Sequence, residues 1–256
     1  MALIYPKYEE ILKLKVPPTE GELKLLNFLK DNLNDEYEIF FQPFLNGDCP
    51  DIVLMRKGGG VLIIEVKDWN LKSYYTDSSK NWYVRNNHSK IKSPINQVLK
   101  YKENIYDLHI NDLLQLKLKD YRYWFIVNCA IFFYKENDFD LMNFLLEPFE
   151  IRKEEINNKS YNSQEKLNII NNQKESYKTF LRKNISILGK NSLDLISLNK
   201  LLFDTWISRN SFYFKEDLYN SFKRHLKPSF HAFEDGKDIK YSKKQLELIV
   251  SEPGEK

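Results

Sequence analysis

Residues 51–67 constrain the fold more than any other stretch. They read Asp-Ile-Val-Leu-Met-Arg-Lys-Gly-Gly-Gly-Val-Leu-Ile-Ile-Glu-Val-Lys. A short apolar run, a glycine turn and a second apolar run make a hairpin: Gly58, Gly59 and Gly60 supply the permissive backbone. Residues 61–66 form an apolar run rich in Val and Ile, as expected of a strand buried on both faces. Asp51 opens the first strand, and Glu65 and Lys67 close the second.

Side chains alternate along a strand, so Glu65 and Lys67 share one face. Burying an unpaired charge is costly, so the two need a partner, solvent or a metal. The hairpin can bring Asp51 near Glu65. Two carboxylates and a lysine around one point suit a hard divalent cation and an attacking water. The plainer reading of Glu-x-Lys alone is an ordinary ion pair at a strand end, with Asp51 a turn residue.

Pro50-Asp51 followed by a hairpin and Glu65-Val66-Lys67 resembles the PD-(D/E)XK nuclease superfamily, and within it the nuclease-related domain called NERD. Gly21-Glu22 upstream and Asn96-Gln97 downstream fall in order with that family's motifs, and the resemblance covers roughly residues 15–135. It implies an α/β (α+β) fold, a central mixed sheet flanked by helices with a helical C-terminal extension. It also implies Mg²⁺ or Mn²⁺ held by Asp51, Glu65, the Val66 carbonyl and Glu22. Lys67 and Gln97 would act on the water and the phosphate, and the substrate would be DNA, cut to leave a 5′-phosphate.

The chain of 256 residues is 42% hydrophobic, enough for a sizeable core. A net charge of +3 does not announce nucleic-acid binding, although a local basic patch depends on distribution rather than sum. Cys49 and Cys129 adjoin apolar runs and are expected as buried free thiols. No signal-type segment or stretch of eighteen apolar residues is seen, so a soluble cytoplasmic protein is expected.

Residues 1–17 read as a lead-in. Thr19 caps a helix with Leu23, Leu26, Leu29 and Leu33 at helical spacing. Thr19-Glu20-Gly21-Glu22 is also a capping box, so Glu22 has two open readings, a helix cap or a metal-edge acid. Residues 37–44 read as a strand. Asp48 lies in a turn and is set aside in favour of Asp51; Asp68 alternates away from Glu65 and reads as structural. Residues 74–76 and 82–84 are short strands that extend the sheet or form a flap. A basic loop with Arg85, His88, Lys90 and Lys92 either touches phosphate or is solvated. Pro94 starts a helix on which Gln97 and Tyr101 share a face, facing either the strand ends or solvent.

Residues 121–134 read as one or two core strands that close a first unit at 1–135. Residues 136–184 form a polar, partly helical insertion with no firm apolar stripe. Residues 185–232 supply a last strand and helices, the first capped by Asn191 or Ser192 and carrying Trp206. In 233–256, Tyr241-Ser242-Lys243-Lys244-Gln245-Leu246-Glu247-Leu248-Ile249 resembles the glutamine motif of UvrD/Rep-type helicases. No phosphate-binding loop accompanies it. The resemblance implies a helicase portion in a longer chain and a role in DNA repair or anti-phage defence. A second reading stays open: a nucleic-acid-binding or docking module for a helicase that cuts little. Pairing into a homo-oligomer would permit double-strand cuts.

Overall fold

The computed structural model describes residues 1–45, 47–110, 112–157 and 163–227. The motif at 241–249 lies outside the described residues. In chain order the elements are β1 (Leu3–Tyr5), α1 (Tyr8–Ile11), α2 (Glu20–Asn32), β2 (Tyr37–Phe41), β3 (Ile52–Arg56) and β4 (Gly60–Lys67). Then come β5 (Tyr74–Thr76), β6 (Trp82–Val84), β7 (Lys90–Ile91), α3 (Pro94–Asn104), α4 (Leu113–Lys119) and β8 (Val127–Phe133). The chain continues through α5 (Asp138–Asn157), α6 (Ser163–Asn184), β9 (Ser186–Gly189), α7 (Leu195–Asp204) and α8 (Glu216–Leu226).

Six strands form one mixed sheet in the order β1-β2-β3-β4-β8-β9. β2, β3 and β4 are antiparallel neighbours, whereas β1 runs parallel to β2, β8 to β4 and β9 to β8. Period-two alternation splits the centre of the sheet between two cores. Val53, Met55, Val61 and Ile63 pack with α3, α5 and α8 on one face. Ile52, Leu54, Leu62, Ile64 and Val66 pack with α2 and α7 on the other. β4 is therefore apolar on both faces until its end, which explains the unbroken run at 61–64.

β5, β6 and β7 make a separate three-stranded sheet rather than extending the main one. Trp82 is buried and packs on Phe144 of α5 at 4.8 Å, which anchors this sheet to the helices. Asp138–Asn157 and Ser163–Asn184 are two long helices in contact. Their apolar side is short, with Leu145, Leu146, Phe149, Ile170 and Leu181 buried, and the charged remainder masks it in the sequence.

Several expectations are corrected. The lead-in contains β1 and α1, because an edge strand of three residues is too short to show periodicity. β2 stops at Phe41, where Gln42 turns to φ 44°. Residues 121–126 are 3-10 turns, not strand: Asp120 accepts the Arg122 N–H, and Trp124 packs on Tyr106 at 4.8 Å. The cap of α7 is Asp194, which accepts from Ile196 and Ser197, and Trp206 lies past the helix end, exposed. Cys49 is exposed, since its loop leaves the sheet before β3; Cys129 is buried.

Gly21 sits where α2 meets the end of β4. A Cβ there would lie 2.1 Å from Asp68 Oδ1 and 2.8 Å from Tyr134 Cβ. Asp68 cannot retreat without giving up the Gly21 N–H, which it accepts at 3.0 and 3.2 Å. Gly21→Ala is expected to cost about 2 kcal/mol by forced repacking. In a chain of this size that lowers the melting temperature by roughly 4–8 °C. A thermal scan checks this, and an unchanged midpoint would show that the junction is slack.

Candidate active site

The register of β3 on β4 ends at the pair Ile52 and Ile64. One residue further, Asp51 stands opposite Glu65, on the face that carries Val53 and Ile63. The Val66 N–H donates to Asp51 Oδ2 at 2.6 Å, so a carboxylate takes the place of a ladder acceptor. N–H and C=O of one residue point to the same side of a strand. The Val66 carbonyl is thus directed past the end of β3, towards Asp51.

Glu65 is buried at 2% exposure. Its Oε1 accepts from Lys67 Nζ and from Gln97 Nε2, each at 2.5 Å. Its Oε2 is buried with no partner. Gln97 also donates to Tyr101 Oη at 2.8 Å, so the two α3 residues face the strand ends rather than solvent. Tyr101 in turn donates to the Cys49 carbonyl at 3.4 Å. The Lys67 ammonium lies 5.3 Å over the Trp69 ring.

Glu22 closes the third side. The capping box is present: Thr19 Oγ1 accepts the Glu22 N–H, and Glu22 Oε2 accepts the Thr19 N–H at 2.6 Å. Glu22 Oε1 accepts from Gln42 Nε2 at 2.9 Å. Each oxygen retains a second lone pair. Glu22 is also among the charges acting on Asp51 and Glu65. The sequence reading missed Gln42. Its only sign is its place after a strand, because its left-handed backbone at φ 44° depends on the tertiary fold.

Burial pushes the Asp51 carboxyl up to about 8, helped by the Glu65 carboxylate and opposed by the Val66 N–H. Burial also raises Glu65, against the pull of Lys67. Cys49 is exposed at its surface, yet partial desolvation on its inner side, with the charges of Asp51 and Glu65 adding to it, holds its thiol up and disfavours the thiolate.

The two neighbouring acids do other work. Asp48 Oδ2 accepts from Asn104 Nδ2 at 2.7 Å and pairs with His109 Nε2 at 3.0 Å, fastening the end of α3. Asp68 accepts from the Gly21 N–H and from Thr19 Oγ1, at the N-terminus of α2. The basic loop reaches the site through Lys92, whose charge acts on Glu65.

The donors fit a hard cation: an orphaned buried carboxylate oxygen, a facing carboxylate and a carbonyl, all oxygen. Among the described residues no three His, Cys, Asp or Glu side chains form a ready metal cage. Mg²⁺ suits such an open edge, because it commonly keeps several waters and takes one or two carboxylates.

A mixed sheet flanked by helices, with acids and a lysine at the end of its central hairpin, is a nuclease-like α+β fold. Residues 18–134 match the family model of the nuclease-related domain, NERD, and that match points to a nuclease-related function for this part of the chain. Searches among curated proteins and among solved structures return no match. Among the described residues no helix is long and apolar enough to cross a membrane.

The raised Asp51 carboxyl makes a stability prediction. An acid that holds its proton more tightly folded than unfolded contributes stability below its ordinary range, and that contribution is lost as pH rises through about 8. In chelator, the wild-type melting temperature should fall from about pH 6 to about pH 9 more steeply than that of Asp51→Asn. The variant should be the more stable protein at the upper end. Parallel curves would mean that Asp51 titrates normally.

Proposed function

We propose that this chain is a divalent-metal-dependent deoxyribonuclease that hydrolyses phosphodiester bonds. The observation that carries the reading is the buried, unpartnered Oε2 of Glu65, a residue that stands opposite Asp51 across the strand pair. A purely structural ion pair does not need a second carboxylate turned onto it, since like charges at close range oppose each other.

Asp51, Glu65 and the Val66 carbonyl would hold Mg²⁺ or Mn²⁺, with Glu22 adding negative charge behind them. Bound there, the cation would acidify a water and neutralise charge on the phosphate. Gln97, fixed between Glu65 and Tyr101, would orient the attacking water or a phosphate oxygen. Lys67 would donate to the oxygen on which negative charge builds. Water adds to phosphorus and the P–O3′ bond breaks, leaving a 5′-phosphate and a 3′-hydroxyl. The resemblance at 241–249 supports a longer nuclease–helicase acting in the cytoplasm in DNA repair or anti-phage defence. A homo-oligomer is compatible with that role.

The test incubates the purified chain with circular single-stranded DNA and linear duplex DNA, in Mg²⁺, Mn²⁺ or chelator. Asp51→Ala and Lys67→Ala should each lower metal-dependent cutting by about 10³-fold or more, and Gln97→Ala by roughly 10- to 100-fold. Cutting of circles would identify internal cleavage. Cutting that persists in both variants would sink the proposed site. No cutting at all, with DNA binding intact, would favour the docking-module reading.

Glu22→Gln separates the two roles of that residue. The amide keeps an oxygen for the Thr19 N–H, so the cap should survive and stability change by under about 1 kcal/mol. Cutting should fall at limiting Mg²⁺ and recover as Mg²⁺ is raised. Cutting unchanged at every Mg²⁺ concentration would confine Glu22 to capping.

A further inference from the structure

The small sheet has one face turned to the core and one that joins no core cluster. Trp82 and Thr76 are buried on the inner face, and Ile91, paired with Trp82, packs against the same core. On the outer face Tyr75 pairs with Tyr83, and Tyr83 with Lys90. Neither tyrosine belongs to a hydrophobic cluster.

The two tyrosine rings stack at 5.2 Å with an 18° interplanar angle. The Arg85 guanidinium lies 5.6 Å over the Tyr75 ring, and His88 meets that ring edge-on at 5.8 Å. Hydrogen bonds fix the tyrosine hydroxyls: Tyr75 with His88 Nδ1 at 3.0 Å, and Tyr83 donating to Asp77 Oδ2 at 3.2 Å. Arg85, His88, Lys90 and Lys92 are exposed. One carboxylate, Asp77, adjoins the surface, and it is already engaged by Asn81 and Tyr83.

Rigid aromatic faces interleaved with exposed cations match a strand whose bases are unpaired: bases stack on rings, and phosphates meet the ammonium and guanidinium groups. Duplex DNA keeps its bases stacked inside and offers such rings nothing. Stacked tyrosines without cations would fit an apolar partner equally well. Here the charge complementarity decides for a polyanion. The surface also leads to the site, because β7 ends at Ile91 and the next residue, Lys92, acts on Glu65.

From this juxtaposition we infer that the outer face of the small sheet binds single-stranded DNA, with bases on Tyr75 and Tyr83 and phosphates on Arg85, Lys90 and Lys92. Resting on the nuclease reading, this identifies the substrate as an unpaired strand led along β7 to Asp51 and Glu65.

Binding is read by fluorescence anisotropy in chelator, with a short labelled oligothymidine and a duplex of the same length. Wild type should bind the single strand the more tightly. Tyr75→Ala and Tyr83→Ala should each weaken oligothymidine binding about tenfold or more, leave duplex binding unchanged, and be rescued by Phe, which keeps the ring. Arg85→Ala and Lys90→Ala should each reduce the salt-dependence slope by about 0.7. If an alanine variant fails to fold, Lys90→Glu, an exposed change, should still weaken single-strand binding without lowering the melting temperature. Wild-type affinity in these variants, equal losses on duplex, or a preference for duplex would overturn the inference. No step of this assay requires cutting. Lost binding in a chain that never cuts would fell the nuclease reading alone, and normal binding in a chain whose cutting needs Asp51 would fell this one alone.

Discussion

The carboxylate of Glu65 sits near the end of a strand whose preceding side chains, Val61 to Ile64, are apolar on both faces, and the surrounding structure is arranged to answer it. An ionised carboxylate taken out of water costs several kcal/mol unless paired and hydrogen-bonded. Lys67 and Gln97 both serve Oε1, and Oε2 receives nothing. Asp51, directly opposite, worsens the balance and is itself driven towards protonation. Stability alone would favour fewer acids here, and the proposed cation would offset the cost of keeping them together.

Three elements converge to hold that end. The residue just before β3 is Asp51, whose backbone carbonyl accepts from the Gln42 N–H at 2.8 Å while its side chain accepts from the Val66 N–H. α3 supplies Gln97 and Tyr101; its start is fixed by Pro94 and its end by the pairing of Asp48 with Asn104 and His109. α2 supplies Glu22, held by its own capping box and by Gln42. Asp51, Gln97 and Glu22 are thus each pinned by a bond outside the proposed chemistry, to the Val66 N–H, the Tyr101 hydroxyl and the Thr19 N–H, which preorganises their side chains.

Most of this was legible wherever a period governed the residues. The alternation of β4 put Glu65 with Lys67, and the four-residue spacing on α3 put Gln97 with Tyr101. Legibility failed where tertiary contacts override local pattern. The aromatic run at 121–126 looks like strand, yet Trp124 finds Tyr106 and the Lys102 ammonium at 4.1 Å in a 3-10 turn. Asn191 and Ser192 read as helix caps but bond Asp138 of α5, and Asp194 caps instead. Cys49 looked buried because its neighbours are apolar, although its loop has already left the sheet. Gln42 carries no pattern, since its role exists only once β2 and α2 lie side by side.

Adjacent residues at the end of β4 show how one backbone rule divides labour. Lys67 and Asp68 follow each other, and a strand must send them to opposite faces. Lys67 turns to Glu65 and the acidic edge. Asp68 turns to the other side, meets the N-terminus of α2 and accepts the Gly21 N–H, where a negative charge is favoured by the helix dipole. The same helix end presents Glu22 to Asp51. Asp68 therefore fixes the height at which Glu22 arrives, and a small residue at position 21 is what lets the helix come close enough. The capping reading of Glu22 is present in the structure, and it does not compete with the proposed metal role: the bond to the Thr19 N–H would hold the carboxylate in place for either.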